Sequence, residues 1–122
     1  MNNYNTVVGL DVHKEMIVAA VLPPGSDVFA LTTKIENQPA QIESFVRRLQ
    51  PRGALEFVYE AGPCGYEVHR QISAMGHACT VIAPGLMPRK PGDKVKTDRR
   101  DAEKLAKLQR AGELTAVRVP TR

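Results

Sequence analysis

The chain has 122 residues, 43% of them hydrophobic and 25% charged, the make-up of one ordinary globular domain rather than a disordered or fibrous chain. Its 17 Lys and Arg against 13 Asp and Glu give a formal charge of +4, which leans toward a polyanionic partner. Two cysteines, Cys64 and Cys79, exclude a disulfide framework or a CxxC zinc site, and no apolar run approaches the roughly 20 residues that span a bilayer, so a cytoplasmic protein with no membrane partner is expected.

Thr6 to Val12 is rich in β-branched and aliphatic residues, and Met16 to Leu22 repeats that character after the polar break His13-Lys14-Glu15. This predicts a β-hairpin. A turn cluster, Pro23-Pro24-Gly25-Ser26, follows, and residues 28–33 are expected to form a third strand. The period then changes: Ile42, Phe45, Val46 and Leu49 fall at i, i+3, i+4 and i+7, the stripe of a helix that Pro51 and Gly53 terminate. Residues 55–59 read as a strand that Gly62-Pro63 breaks. A helix with Val68, Ile72 and Met75 on one side ends at Gly76, and residues 78–83 make a fifth strand.

Residues 84–96 hold three prolines and two glycines among basic residues and are expected to be an irregular, exposed loop. Thr97 reads as the N-cap of a last helix running to about Arg110, with Gly112 as its stop. The order β-β-β-α-β-α-β-α predicts an α/β domain over residues 1–112, a three-stranded meander extended by two parallel strands into a five-stranded mixed sheet. That order is ribonuclease-H-like. Residues 113–122 carry no clear element and read as a tail or the start of a connection.

The last helix carries the sharpest chemical signal. Ala102, Leu105, Ala106 and Leu108 form its apolar stripe, with Arg99, Arg100, Glu103, Lys104, Lys107 and Arg110 opposite. Asp98 and Asp101 continue the apolar line toward the N-terminus, so two acids point where the core should be. Buried carboxylates close together are costly without a compensating positive charge, which a divalent cation supplies. Two further acids end strands: Asp11 near the close of residues 6–12 and Glu60 just after residues 55–59. If those strands are parallel neighbours, their ends share the edge where open α/β sheets place ligands. Each acid also has a local reading: Asp11 in a turn with His13, Glu60 as a helix cap, and Asp98 and Asp101 drawn to the positive end of the helix dipole.

Four clustered acids suit hard divalent ions such as Mg²⁺, with Mn²⁺ able to substitute, and hence phosphodiester chemistry. Between Pro84 and Lys104 seven basic residues face four acidic ones, concentrating most of the net charge beside the last two acids. Arg89, Lys90, Lys94, Lys96, Arg99 and Arg100, with Lys14, are candidates to hold a nucleic-acid backbone. His13 is a candidate for contact with metal-bound water or the scissile phosphate.

Gly9-Leu10-Asp11-Val12-His13-Lys14, Tyr59-Glu60-Ala61-Gly62 leading into Tyr66, and Lys96-Thr97-Asp98-Arg99-Arg100-Asp101-Ala102 resemble, in order and spacing, the three blocks of the DEDD insertion-sequence transposases, a family that includes the Piv-type DNA invertases. The resemblance implies a RuvC-like fold, a magnesium site at Asp11, Glu60, Asp98 and Asp101, and DNA cutting and joining in transposition or inversion. It also implies a nucleophilic serine on a further C-terminal domain, in some members a structured noncoding guide RNA, and a homo-oligomer. The chain ends at Arg122, so it is expected to lack that serine domain and to be an incomplete recombinase by itself. Two alternatives stay open: a stand-alone RuvC-like nuclease, and a docking or dimerisation module whose acids are silent. A phosphate-binding lobe of an actin-like ATPase, suggested by Gly9-Leu10-Asp11, lacks the further glycine-rich motifs it would need.

Overall fold

Strands β1 (Thr6–Val12) and β2 (Met16–Leu22) are antiparallel neighbours, with Asp11 opposite Val18, and their apolar runs are buried because both faces of the sheet are covered. The computed structural model describes residues 5–62, 65–83 and 98–120 of the chain, Asp98 by its backbone alone. Strand β3 (Leu31–Glu36) completes the meander, placing Lys34 opposite Val18. It begins three residues later than the sequence pattern predicts. The Ser26 hydroxyl accepts from the Val28 amide (3.0 Å) and donates to the Val28 carbonyl (3.1 Å), which ties Val28 into the turn and leaves it 74% exposed.

Helix α1 (Pro39–Leu49) buries Ile42, Phe45, Val46 and Leu49, the stripe read from its spacing. Strand β4 (Leu55–Glu60) lies parallel to β1, α2 (Glu67–Ala74) buries Val68 and Ile72, and β5 (Ala78–Ile82) lies parallel to β4. The sheet order is β3-β2-β1-β4-β5. Helices α1 and α2 cover one face, where Val8, Leu10, Phe57 and Tyr59 meet their apolar stripes. Helix α3 (Asp98–Ala111) covers the other face. No helix among the described residues is long and apolar enough to cross a membrane.

Residues 114–120 have no strand signature, yet Ala116 forms an antiparallel bridge with Ile82 and the Val117 amide donates to the Val81 carbonyl at 2.7 Å. Val117 and Val119 pack on the α1/α2 side of the core, so this segment covers part of the β5 edge.

Arg110 was expected on the solvated side of α3. Instead its guanidinium is partly buried and donates to four backbone carbonyls: Pro23 (2.7 Å), Ser26 (3.0 Å), Asn5 (2.9 Å) and Leu22 (3.0 Å). Its length lets it reach past the helix end to carbonyls at the start of β1, the end of β2 and the turn that follows. Arg110→Met is expected to cost about 2–3 kcal/mol, because charged donors are withdrawn from four partly buried acceptors at once. A lower urea midpoint at unchanged slope checks this.

Candidate active site

Alternation along the strands decides which residues face α3. Val7 clusters with Ala106, and an added Cβ on Gly9 would collide with the Ala102 carbonyl oxygen, so the odd-numbered positions of β1 face this helix. Asp11 is the next of them. On β4, Val58 clusters with Leu105, which puts Glu60 on the same face, while Phe57 and Tyr59 point to the other.

The direction of α3 follows from the same contacts. Ala102 packs with Val18 and Ala20, Ala106 with Val7 and Leu22, and Arg110 reaches the Asn5 carbonyl at the start of β1. The helix therefore runs antiparallel to β1, and its first turn lies over the end of β1 that carries Asp11. Asp101 precedes Leu105 by one turn and so sits on the side toward β4 and β5. It is only 6% exposed. Asp98 precedes Ala102 by one turn, which places its backbone on the side toward β1 and β2.

The β1–β4 register pairs Leu10 with Tyr59, and one step further brings Asp11 beside Glu60, about 4.8 Å apart along the ladder direction. Three of the four expected acids thus occupy one edge of one face. Among the described residues no three His, Cys, Asp or Glu side chains stand close enough together to hold an ion as they lie, and the side chain of Asp98 is outside the described set. The donor chemistry nevertheless fits a hard divalent cation: carboxylates from three separate elements, one of them buried, with no thiolate among them.

The local alternatives for these acids fare differently. Helix α2 begins at Glu67 with Tyr66 in the capping position, so Glu60 is not its cap. Asp11 does engage His13, whose Nε2 lies 2.9 Å from Asp11 Oδ2. His13 has left the strand: its amide donates to the Met16 carbonyl at 2.8 Å, and its carbonyl accepts from Asn37 Nδ2 at 2.8 Å. This fixes the imidazole beside the carboxylate, where sequence reasoning needed the strand to continue to place it there.

Lys14, in the same turn, is exposed, as are Arg99 and Arg100 at the start of α3. Arg99 Nε is 3.2 Å from Glu103 Oε2. Arg89, Lys90, Lys94 and Lys96, the loop of residues 84–96 and the Thr97 cap all lie outside the described residues.

Behind the site, Tyr59 anchors the end of β4 from the other face. Its hydroxyl donates to the Gly65 carbonyl (3.1 Å) and accepts from the His69 amide (3.3 Å). Burial pushes the Tyr59 phenol up to about 12, against the smaller opposing pull of the His69 amide, and burial likewise pushes the Cys79 thiol up to about 12. Both groups hold their protons more tightly folded than unfolded. Their contribution is therefore complete below the ordinary values of 9.0 for the thiol and 10.0 for the phenol, and fades as pH rises toward about 12. Thermal melts should show a declining melting temperature from about pH 9 upward, and Cys79→Ala should flatten the first part of that decline.

The family model for DEDD transposases of the IS110 type, described as a transposase, matches residues 8–122. The protein y4qE of Sinorhizobium fredii, named as a transposase, is 47% identical over 115 residues, covering 93% of this chain and 30% of that protein. The transposase for insertion sequence element IS1533 of Leptospira borgpetersenii is 41% identical over 105 residues, covering 85% of this chain and 30% of its own length. The chain thus spans about 30% of the length of these curated relatives. Among solved structures, the large terminase nuclease of a thermophilic phage matches with a TM-score of 0.61 at 14% identity, over 86% of this chain and 82% of that one. At that identity the likeness concerns the fold, which is ribonuclease-H-like.

Proposed function

Because the chain belongs to the DEDD-type insertion-sequence transposase family, we propose that it is the catalytic carboxylate domain of a DNA transposase, with Asp11, Glu60, Asp98 and Asp101 as a site for Mg²⁺ or Mn²⁺. The observation that carries this reading is the buried carboxylate of Asp101 in the first turn of α3, over the edge where Asp11 and Glu60 end adjacent parallel strands. Acids from separate elements brought to one edge repel one another, and a shared cation offsets that repulsion.

When bound, such ions supply an activated water or hydroxyl and stabilise the leaving oxygen of a phosphodiester. The protein's part is positioning. Adjacent strands fix the spacing of Asp11 and Glu60, the α3 contact at Gly9 sets the height of Asp98 and Asp101 above them, and His13 orients the Asp11 carboxylate. Lys14, Arg99 and Arg100, with Arg89, Lys90, Lys94 and Lys96 of the basic loop, would hold the DNA backbone. A nucleophilic serine from the remainder of such a protein, a guide RNA and self-association belong to the same proposal, as does a cytoplasmic location.

Calorimetry with Mn²⁺ tests the site itself. Binding by the parent chain that is lost in Asp101→Asn supports it. Equal heats in both, or none in either, count against it.

A further inference from the structure

We propose that the cleft between β3 and the first turns of α3 is a phosphate-binding subsite for a DNA strand, with Lys34 and Arg99 as its cations. This rests on the reading of the neighbouring acids as the site of DNA chemistry. The cleft has a volume of about 280 Å³ and is lined by Val18, Thr32, Thr33, Lys34 and Arg99.

Its place follows from strand register. Lys34 pairs with Val18, Val18 with Asp11, and one further step of the β1–β4 register reaches Glu60, so these four positions form one row across the α3 face. At about 4.8 Å per strand, Lys34 lies about 10 Å from Asp11. Each strand of a duplex carries a phosphate per about 3.4 Å of axis, so a strand whose reacting phosphate sat at the acids would bring another, a few nucleotides away, to Lys34. The intervening Val18 is buried and uncharged, and Lys34 is exposed with no ion pair among the described residues. Its charge is therefore available to a ligand.

Arg99 is held differently. Glu103 Oε2 engages its Nε at 3.2 Å and also accepts from the Thr32 hydroxyl at 3.3 Å, which links the helix to β3. That contact uses one edge of the guanidinium and leaves the terminal nitrogens of a 73% exposed side chain to fork onto a phosphate. Lys34 and Arg99 are the charged residues of the lining, and both are cations. A backbone phosphate suits two neighbouring cations.

The test uses the chain with a short single-stranded DNA oligonucleotide at low salt, without divalent ions, followed by anisotropy and by the amide resonances of Thr32, Lys34 and Arg99. The expected result is movement of those three resonances, a several-fold loss of affinity in Lys34→Ala, and a salt slope shallower by about 0.7, as for one single-strand phosphate contact. Glu103→Gln should bind more tightly, since it removes the competing carboxylate. Failure of the chain to bind the oligonucleotide, silent resonances, or unchanged affinity and slope in Lys34→Ala would overturn the subsite. If the Lys34→Ala effect appears while Asp11→Asn still cleaves DNA normally, the subsite stands and the carboxylate reading falls.

Discussion

Asp11→Asn is expected to lower metal-dependent DNA strand cleavage by about a thousandfold while leaving the melting temperature nearly unchanged. The size follows from the several kcal/mol of charge stabilisation that a bound ion contributes to phosphoryl transfer, at about 1.4 kcal/mol per tenfold in rate. The selectivity follows from position. Asp11 closes a strand whose buried residues are its neighbours toward the N-terminus, and asparagine keeps its shape and can still hydrogen-bond His13. Asp27→Asn, at an exposed turn acid, should leave both activity and stability alone. A cleavage time course with Mg²⁺ and Mn²⁺ reads the difference, and equal rates for Asp11→Asn and the parent would remove Asp11 from the chemistry.

Gly9→Val should have the largest effect on the fold. The helix backbone crosses β1 at this residue, where a Cβ would overlap the Ala102 carbonyl oxygen and lie 2.9 Å from the Ala106 amide nitrogen. Overpacking usually costs about 1–3 kcal/mol, and here the obstacle is main chain that cannot change rotamer, so about 3 kcal/mol or more is expected. Against a typical total of about 5–15 kcal/mol this is a large fraction. Any relaxation that lifts α3 also lifts Asp98 and Asp101 away from Asp11, so the surviving folded fraction should bind Mn²⁺ more weakly. Gly62→Ala provides the contrast, since nothing lies within 4 Å of a Cβ there. Urea unfolding of the pair checks the prediction.

The features legible in the sequence were those set by local periodicity. The α1 stripe, the end of α2 at Gly76 and the apolar face of α3 all follow from spacing, and the parallel placement of β4 and β5 follows from alternation of strand and helix. What could not be read depended on contacts distant along the chain. The later start of β3 comes from the Ser26 turn, and the burial of Arg110 comes from carbonyls 84–105 residues away. Nothing in the sequence marks Lys34, which the strand register sets in a row with Asp11. A glycine inside the apolar β1 run was the available sign of a close backbone approach. For the site, Asp11 and Glu60 stood out in the sequence as acids at strand ends and Asp101 as an acid on an apolar helix face, whereas their common face required the sheet order.

Cations shared by these acids at one edge of the sheet would be seen in a crystal structure of the chain soaked in Mn²⁺, with anomalous scattering recorded. An anomalous peak is expected within about 2.5 Å of carboxylate oxygens from Asp11 and at least one of Glu60, Asp98 and Asp101. Peaks confined to other surfaces, with Asp11 and Asp101 both ordered and bare, would contradict it.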